Sequence, residues 1–232
     1  WVQVGADIDG EAAEDRSGYS VALSADGRRV AIGAQGNDGN GNLSGHVRVY
    51  DWTGFAWVQA GADIDGEGGG DRSGFSVALS SDGSRVAIGA PLGDISGNGD
   101  RSGHVRVYDW TGFAWVQAGA DIDGEAVGDE SGFSVALSSG GCRVAIGAFL
   151  NDGNGQDSGH VRVYDWTGSA WVQVGLDIDG EAAGDESGVS VALSSDGSRV
   201  AIGAQGNDGN GNLSGHVRVY DWTGFAWVQA GA

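Results

Sequence analysis

The segment 18–34, GYSVALSADGRRVAIGA, predicts two β-strands joined by a tight turn. Its central Asp-Gly pair lies between alternating apolar residues, which is a strong signal for a two-residue hairpin. Pairing across that turn places Leu23 opposite Val30. The next pair on the same face is Val21 with Ile32. The other face carries serine, alanine and glycine, so the predicted hairpin has one bulky face and one small face.

A second hairpin is predicted over 45–61, GHVRVYDWTGFAWVQAG, with a Thr-Gly pair at its turn. Pairing across this turn places Trp52 opposite Phe55. The next pair on that face is Tyr50 with Trp57, and aromatic cross-strand pairs stabilise a hairpin by about 0.2–1 kcal/mol each. The opposite face is aliphatic, so the four predicted strands form a sheet with apolar groups on both faces.

Both hairpins recur four times, so internal repetition organises the chain. The repeats cover 1–56, 57–114, 115–170 and 171–226, and 227–232 is the first strand of a further repeat. A sheet that is apolar on both faces is not stable alone in water, so we expect each sheet to stack on the next, bulky face against small face. The predicted fold class is all-β: tandem four-stranded antiparallel blades stacked as a β-propeller or as an open superhelical, fibre-forming array.

The strand sequences resemble a known repeat. They read DRSGYSVALS at 15–24, VAIGAQ at 30–35, SGHVRVYDW at 44–52 and WVQ at 57–59. This order is similar to the FG-GAP repeat family, in the variant with a trailing Trp-x-Gln strand, and the resemblance covers essentially the whole chain. It implies β-propeller blades of the type found in integrin α-subunit heads and in bacterial and algal surface proteins.

The chain also departs from that family pattern. Serine replaces the phenylalanine of the Phe-Gly pair at Ser17, Ser73, Ser131 and Ser187. The second repeat alone retains Gly-Ala-Pro, at 89–91. The family's usual calcium loop joins the first two strands of a blade, whereas here that connection is SADG, residues 24–27. So short a turn cannot wrap an ion that takes about six to eight oxygen ligands, so the resemblance does not place calcium there.

The charge of the chain limits the classes of partner. Its 232 residues carry 12 positive side chains, all arginine, against 32 acids, for a net charge of −20. Such a surface repels nucleic acid and anionic membranes, so we predict no nucleic-acid partner and no membrane insertion. The expected partners are further copies of the same repeat array, by self-association or continuation, or a protein or glycan ligand. The single cysteine, Cys142, allows no internal disulfide.

The acidic connector between successive blades is the leading metal-site candidate. In DIDGEAAED, residues 7–15, acids occupy positions 1, 3, 5 and 9, which is the spacing of a calcium loop. The candidate ligands of the four copies are Asp7, Asp9, Glu11, Asp15, Asp63, Asp65, Glu67, Asp71, Asp121, Asp123, Glu125, Asp129, Asp177, Asp179, Glu181 and Asp185. The alternative is a solvated connector whose last Asp fastens the next blade, and the residues alone leave both open. Calcium is the one cofactor that this pattern suggests.

A second polar loop, NDGNGN at 37–42, recurs with drifting spacing, as GDISGNGD at 93–100 for example. Asn, Asp and Gly are ordinary turn formers, which favours a plain loop over a ligand site. Within this loop Asn42, and its copy Asn212, begin Asn-Leu-Ser, the acceptor pattern for N-glycosylation. We predict glycosylation at both asparagines in a secreting, glycosylating cell.

The sequence contains no catalytic constellation. His46 recurs as His104, His160 and His216 beside a repeated arginine. Catalysis needs an asymmetric site, and four identical placements indicate a structural ladder instead. A Ser-His-Asp grouping, a phosphate-binding loop and Cys/His zinc spacing do not occur. We therefore predict that the chain is not an enzyme.

Together these features predict a non-enzymatic, extracellular or cell-surface repeat protein with a structural or adhesive role. The repeats are very alike, and the chain begins and ends on the same Trp-Val-Gln strand. We therefore expect a segment of a longer repeat array that forms a fibre. The alternative is a calcium-dependent β-propeller module that binds protein or glycan ligands through its loops.

Overall fold

The computed structural model describes residues 1–93 and 100–231, and the regular elements in those ranges are all β-strands. The first blade contains β1 (Ser20–Leu23), β2 (Arg29–Ala34), β3 (His46–Trp52), β4 (Trp57–Gln59) and β5 (Ile64–Asp65). The second contains β6 (Ser76–Leu79), β7 (Arg85–Ala90), β8 (His104–Trp110), β9 (Trp115–Gln117) and β10 (Ile122–Asp123). The third contains β11 (Ser134–Leu137), β12 (Arg143–Ala148), β13 (His160–Trp166), β14 (Trp171–Gln173) and β15 (Ile178–Asp179). The fourth contains β16 (Ser187–Leu193), β17 (Arg199–Ala204), β18 (His216–Trp222) and β19 (Trp227–Gln229).

These strands form four antiparallel sheets in tandem, which confirms the predicted all-β fold class of repeating blades. The first hairpin has the predicted register, with Leu23 opposite Val30 and Val21 opposite Ile32. Its turn is closed by Asp26, whose Oδ1 accepts hydrogen bonds from the Ser24 hydroxyl at 2.7 Å and from the Arg28 amide at 3.0 Å. The hydrogen bonds from the Arg28 amide and the Ser24 hydroxyl lower the pKa of the Asp26 carboxyl. Burial opposes that lowering only weakly, because the side chain is exposed.

The second hairpin differs from the prediction in its register. Trp52 lies opposite Trp57 rather than Phe55, and Tyr50 lies opposite Gln59. The turn contains four residues instead of two, because the Thr53 hydroxyl donates to the Ala56 carbonyl at 2.9 Å and accepts from the Ala56 amide at 3.1 Å. Gly54 at φ +96° allows this wider turn. The aromatic pair is therefore between the two tryptophans, with ring centroids 5.3 Å apart.

The acidic connector contributes a short strand to the sheet that precedes it. Ile64 pairs with Val47, and Asp65 pairs with His46, so β4 and β5 together line the outer edge of β3. The first three sheets therefore have five strands each, one more than predicted, and the fourth has four within the described residues. Ile64 is buried between blades, and this burial fixes the position of the acids on either side of it.

The blades stack with the bulky face of one sheet against the small face of the sheet before it. Val47 and Val49 of the first blade pack against Val86 and Ile88 of the second. The same cluster recurs between the second and third blades and between the third and fourth. Burying one such aliphatic side chain contributes about 1.5–3 kcal/mol, so these interfaces form the core of the molecule.

Hydrogen bonds also cross each blade interface at fixed positions. The Ser20 hydroxyl donates to the Gly74 carbonyl at 2.7 Å, and the Ser76 hydroxyl donates to the Gly132 carbonyl at the same distance. Ser134 makes the equivalent bond to the fourth blade. The spacing between sheets at these points is thus set by backbone-to-hydroxyl contact, which leaves no room for a larger side chain.

The two outermost faces of the stack are open to solvent. On the first blade Val21 is 64% exposed and Leu23 is 61% exposed. On the fourth blade Val217 is 67% exposed, whereas its counterpart Val161 in the third blade is 0% exposed. The first blade thus presents an uncovered bulky face and the fourth an uncovered small face, and the described blades form an open row and not a closed barrel.

Residues 1–9 form no strand, yet they occupy on the first blade the place that a connector occupies on each later blade. The Trp57 indole donates to the Val4 carbonyl at 3.1 Å, as the Trp115 indole does to Ala60 at 2.9 Å. The Arg48 guanidinium donates to the Asp9 carbonyl at 2.7 Å. The first copy of the acidic connector is therefore held against β3 in the same way as the others.

Candidate functional site

The acids of one connector have different partners. The Asp7 carboxylate accepts a hydrogen bond from the Gln3 amide at 2.7 Å. The Asp15 carboxylate is buried and accepts from the Ala12 backbone amide at 3.0 Å and from the Asn37 side chain at 3.2 Å. The first acid therefore contacts the preceding Trp-Val-Gln segment, whereas the last closes its own loop.

In the first, third and fourth connectors the last acid also ties the connector to the polar loop of the following blade. Asp129 accepts from the Asn151 side chain at 2.9 Å, as Asp15 does from Asn37. In the fourth copy Asp185 accepts from the amides of Glu181 and Ala182 and from Asn207. These contacts fit the alternative interpretation of the connector, in which it is a solvated segment whose last acid fastens the next blade.

We expect Asp185→Asn to lower the free energy of unfolding by about 1–3 kcal/mol, because a buried acceptor of three hydrogen bonds is replaced by a group that cannot accept all of them. Urea unfolding followed by tryptophan fluorescence measures the change. Asp179→Asn, at an exposed acid of the same connector, is the matched control and should have little effect. An equal loss of stability in both variants would contradict the structural role of Asp185. A loss of stability that occurs only with calcium and disappears when a chelator is added would contradict it too.

The third acid lies beside a histidine in the first, third and fourth connectors. The Glu11 carboxylate is 3.9 Å from His46 Nδ1 and 3.5 Å from Arg48 Nη1. The first acid of the next connector, Asp63, approaches the same His46 Nδ1 at 4.0 Å. One imidazole is thus faced by carboxylates from two successive connectors, which come together because Ile64 anchors the second connector to β3.

The same arrangement recurs along the stack. His160 Nδ1 lies 4.0 Å from Glu125, and Asp177 completes a group of three donor atoms within 4.8 Å of one another. Among the described residues, the His/Cys/Asp/Glu groups close enough to hold a metal ion are Glu11–His46–Asp63 and Glu125–His160–Asp177. His216 faces Glu181 at 3.7 Å. Each group combines acids from two connectors, whereas the sequence spacing suggested ligands from one.

Burial and the neighbouring arginine determine the protonation of these groups. Burial, together with the positive charge of Arg162, lowers the pKa of His160 to about 4, so the imidazole is neutral at pH 7. Burial raises the pKa of the Glu67 carboxyl, Arg106 opposes that rise, and the nearby Asp121 carboxylate adds to it. In the second copy Glu67 and Asp121 therefore interact with each other, and the pKa of His104 is lowered chiefly by burial.

Sequence reasoning treated the histidines as a structural ladder and did not place them with the acids. His46 follows the polar loop and precedes a run of apolar strand residues, so it resembles an ordinary strand start. The connector did contain a signal for this contact, because its Ile-Asp pair can form a short strand at the edge of a sheet. Its partner on β3 could not be identified without knowing the register.

The polar loops hold the connectors in place. The Asn40 side chain donates to the carbonyls of Gly66 at 2.8 Å and Glu67 at 3.1 Å. Asn154 makes the equivalent pair of bonds in the third blade. Residues 94–99, most of the second-repeat version of this loop, lie outside the described residues. Asn42 and Asn212, the predicted glycosylation acceptors, are exposed.

The described residues contain no helix long and apolar enough to cross a membrane. Cys142 is an exposed, free cysteine. The Arg48 guanidinium lies over the Tyr50 ring, 5.6 Å from its centroid.

Comparison with solved structures places these blades in a β-propeller-like fold. One similar structure is a Bacteroides uniformis protein provisionally described as a 6-phosphogluconolactonase, with a TM-score of 0.61 and 11% identity over 92% of this chain and 55% of that chain. Another is hydrazine synthase of Kuenenia stuttgartiensis, with a TM-score of 0.56 and 15% identity over 98% of this chain and 51% of that chain. This chain spans about half the length of both, and at these identities the likeness shows the fold alone.

Comparison with curated proteins finds no match to this sequence. Comparison with family models finds the FG-GAP repeat at residues 7–50. That segment runs from the first acidic connector through β1, β2 and most of β3, and it contains Glu11 and His46 of the first cluster. Residues 7–50 therefore match the FG-GAP repeat, as the sequence pattern predicts, and the three later repeats carry the same pattern.

Proposed function

We propose that the chain is a non-enzymatic, extracellular or cell-surface structural protein whose blades stack into a continuing repeat array. The observation that carries this proposal is the pair of open, complementary faces at the two ends of the stack. The uncovered bulky face around Leu23 matches the one that Leu79 contributes to the interface of the first two blades. The uncovered small face around Val217 matches the one that Val47 contributes there. A further blade fits either end by repeating contacts that the molecule already makes.

The polar contacts of the internal interfaces support the same proposal. Arg143 donates to the Gly197 carbonyl of the next blade at 2.8 Å and lies 5.6 Å from the Trp222 ring. Its counterpart in the last blade, Arg199, keeps the ion pair with Asp221 but is exposed. A following blade would supply the carbonyl and the aromatic ring that the internal arginines use.

The repetition of the clusters supports a structural rather than a catalytic role. Each histidine begins the equivalent strand of its blade, and His46, His160 and His216 each face the third acid of a connector. An active site needs one place where a nucleophile or base differs from its copies. The enzyme descriptions attached to the two similar structures concern those proteins, whose identity to this chain is 11% and 15%. An extracellular setting fits the FG-GAP resemblance and the net charge of −20.

We expect the chain to associate head to tail as its concentration rises, because burying an apolar face lowers the free energy of the assembly. Multi-angle light scattering measures the mass. Val217→Asp should block the small face and Leu23→Asp the bulky face, leaving each variant monomeric by itself. An equimolar mixture should form a one-to-one dimer, since each variant keeps the face that the other lacks.

Phe225→Asp is the control for that experiment. Phe225 is fully exposed, and its counterparts Phe55 and Phe113 stay exposed on the internal blades, so this position lies outside the stacking faces. It should leave assembly unchanged. A wild-type chain that stays monomeric at high concentration, or a mixture that forms no dimer, would refute stacking between copies.

A calcium-dependent module that binds a protein or glycan is the second candidate. It is favoured by the exposed acids Asp9 and Asp65, which stand at calcium-loop positions on one edge of the stack. If the loss of stability in Asp185→Asn occurs only with calcium and disappears when a chelator is added, that result would favour this module. Glycans on Asn42 and Asn212 belong with either candidate as a further proposal, because both side chains are exposed.

A further inference from the structure

The histidine clusters are the feature that neither stacking nor the connector contacts explain. His46 is 1% exposed, and its Nε2 has no hydrogen-bond partner among the described residues. Its Nδ1 faces Glu11 at 3.9 Å and Asp63 at 4.0 Å, separations too long for direct hydrogen bonds. Nδ1 is therefore the ring nitrogen that faces the carboxylates and is available to a ligand, whereas Nε2 stays unpaired.

We propose that the clusters Glu11–His46–Asp63 and Glu125–His160–Asp177 each bind a divalent transition-metal ion of the Zn²⁺ class. The donor set is one imidazole nitrogen and two carboxylates, which together with a water is a common set for Zn²⁺. Tetrahedral bonds of about 2.0–2.2 Å place two donor atoms about 3.4 Å apart. The separations of 3.9 and 4.0 Å around His46 are somewhat longer, so the half-exposed carboxylates of Glu11 and Asp63 would move inward to bind the ion.

The donor chemistry distinguishes this site from a calcium loop. Calcium takes about six to eight oxygen ligands, whereas each cluster offers a buried nitrogen and few oxygens. Imidazole nitrogen suits Zn²⁺ and its neighbours. The ligands also come from two connectors and a strand, and the last acid, Asp15, already accepts from the Ala12 backbone amide and the Asn37 side chain. The ion would fasten consecutive connectors to β3 at the edge of the stack.

Access and charge favour entry of a cation. The carboxylates are half-buried, with side-chain exposures of 44% for Glu11 and 31% for Asp63, so an ion can reach the histidine through them. At the first cluster two carboxylates lie near a single arginine, Arg48, which is 3.5 Å from Glu11. In the third blade Arg162 occupies that place, 3.4 Å from Glu125.

Calorimetric titration of the full chain with ZnCl₂ at pH 7 tests the proposal, with Co²⁺ absorption as a second measure of nitrogen and oxygen ligation. We expect at least two Zn²⁺ per chain. The double variant Asp63→Asn, Asp177→Asn replaces half-buried acids and should fold normally, yet weaken binding at both clusters by about tenfold or more. Circular dichroism confirms the fold of each variant.

Asp7→Asn is the matched control, because Asp7 stands at the same connector position as Asp63 and belongs to neither cluster. It should leave Zn²⁺ binding unchanged. Absence of Zn²⁺ binding, or binding that the double variant leaves intact, would overturn the proposal. Calcium binding that Asp7→Asn weakens as much as the double variant does would also overturn it. These outcomes do not depend on whether the chain assembles through its end faces.

Discussion

Replacing Gly147 with alanine should lower the free energy of unfolding by about 3 kcal/mol, the upper part of the range for overpacking a tight interface. A Cβ atom at Gly147 would lie closer than 3.0 Å to the carbonyl group of Gly188 in the next blade. The same carbonyl accepts the Ser134 hydroxyl at 2.7 Å, so neither group can move away without breaking that bond. The third and fourth blades would therefore be forced apart. Urea unfolding followed by tryptophan fluorescence measures the change.

Gly203→Ala is the control built into the repeat. Gly203 has the same strand position in the last blade, but its Cβ would meet closely only the Ser190 side chain of its own sheet. The Ser190 hydroxyl has no carbonyl of a following blade to bind, so it can rotate away from the new methyl group. We therefore expect a much smaller loss of stability. Equal losses at the two glycines would show that the backbone conformation, and not the blade contact, determines the effect.

Replacing Arg85 with methionine should lower the free energy of unfolding by about 2 kcal/mol. The buried guanidinium binds Asp109 through two bonds, at 2.6 and 2.7 Å, and donates to the Gly141 carbonyl of the next blade at 2.9 Å. It also lies 5.2 Å from the Trp166 ring, where a cation is attracted to the aromatic face. Breaking a fully buried pair costs about 3–5 kcal/mol, and the partial exposure of Asp109 reduces that figure. Methionine keeps the volume of the stem.

Arg199→Met tests whether that loss comes from the interface. Arg199 forms the same two bonds to Asp221, yet its side chain is 58% exposed and no described blade follows it. We expect only a small change there, because a solvent-exposed ion pair contributes little. A loss at Arg199 as large as that at Arg85 would mean that the ion pair within the sheet matters more than the contact between blades.

The first hairpin shows what local sequence can predict. Its register follows from the Asp-Gly turn and from alternation of apolar residues, and the structure has Leu23 opposite Val30 as predicted. The small face was also visible, because serine, alanine and glycine alternate with the bulky residues. The packing of bulky face against small face then follows from the need to bury both.

The second hairpin shows where local sequence was insufficient. The Thr-Gly pair suggested a two-residue turn, but the Thr53 hydroxyl bonds to Ala56 and extends the turn to four residues. The shift places Trp52 opposite Trp57 and Tyr50 opposite Gln59. A side-chain hydroxyl that competes for backbone groups is common, and whether it does so depends on the strands that the turn must join.

The sequence by itself determined the repeat, the antiparallel blades and the two unequal faces, because alternation and turn residues act between near neighbours in the chain. The tertiary structure decided the candidate site. Glu11 and Asp63 belong to different connectors, and they face His46 only because Ile64 is buried between blades and pairs with β3. The acids of one connector, which sequence spacing grouped together, are separated by the hydrogen bonds that each finds nearby. Contacts between distant segments depend on which faces stack and in which register, and no local pattern contains that information.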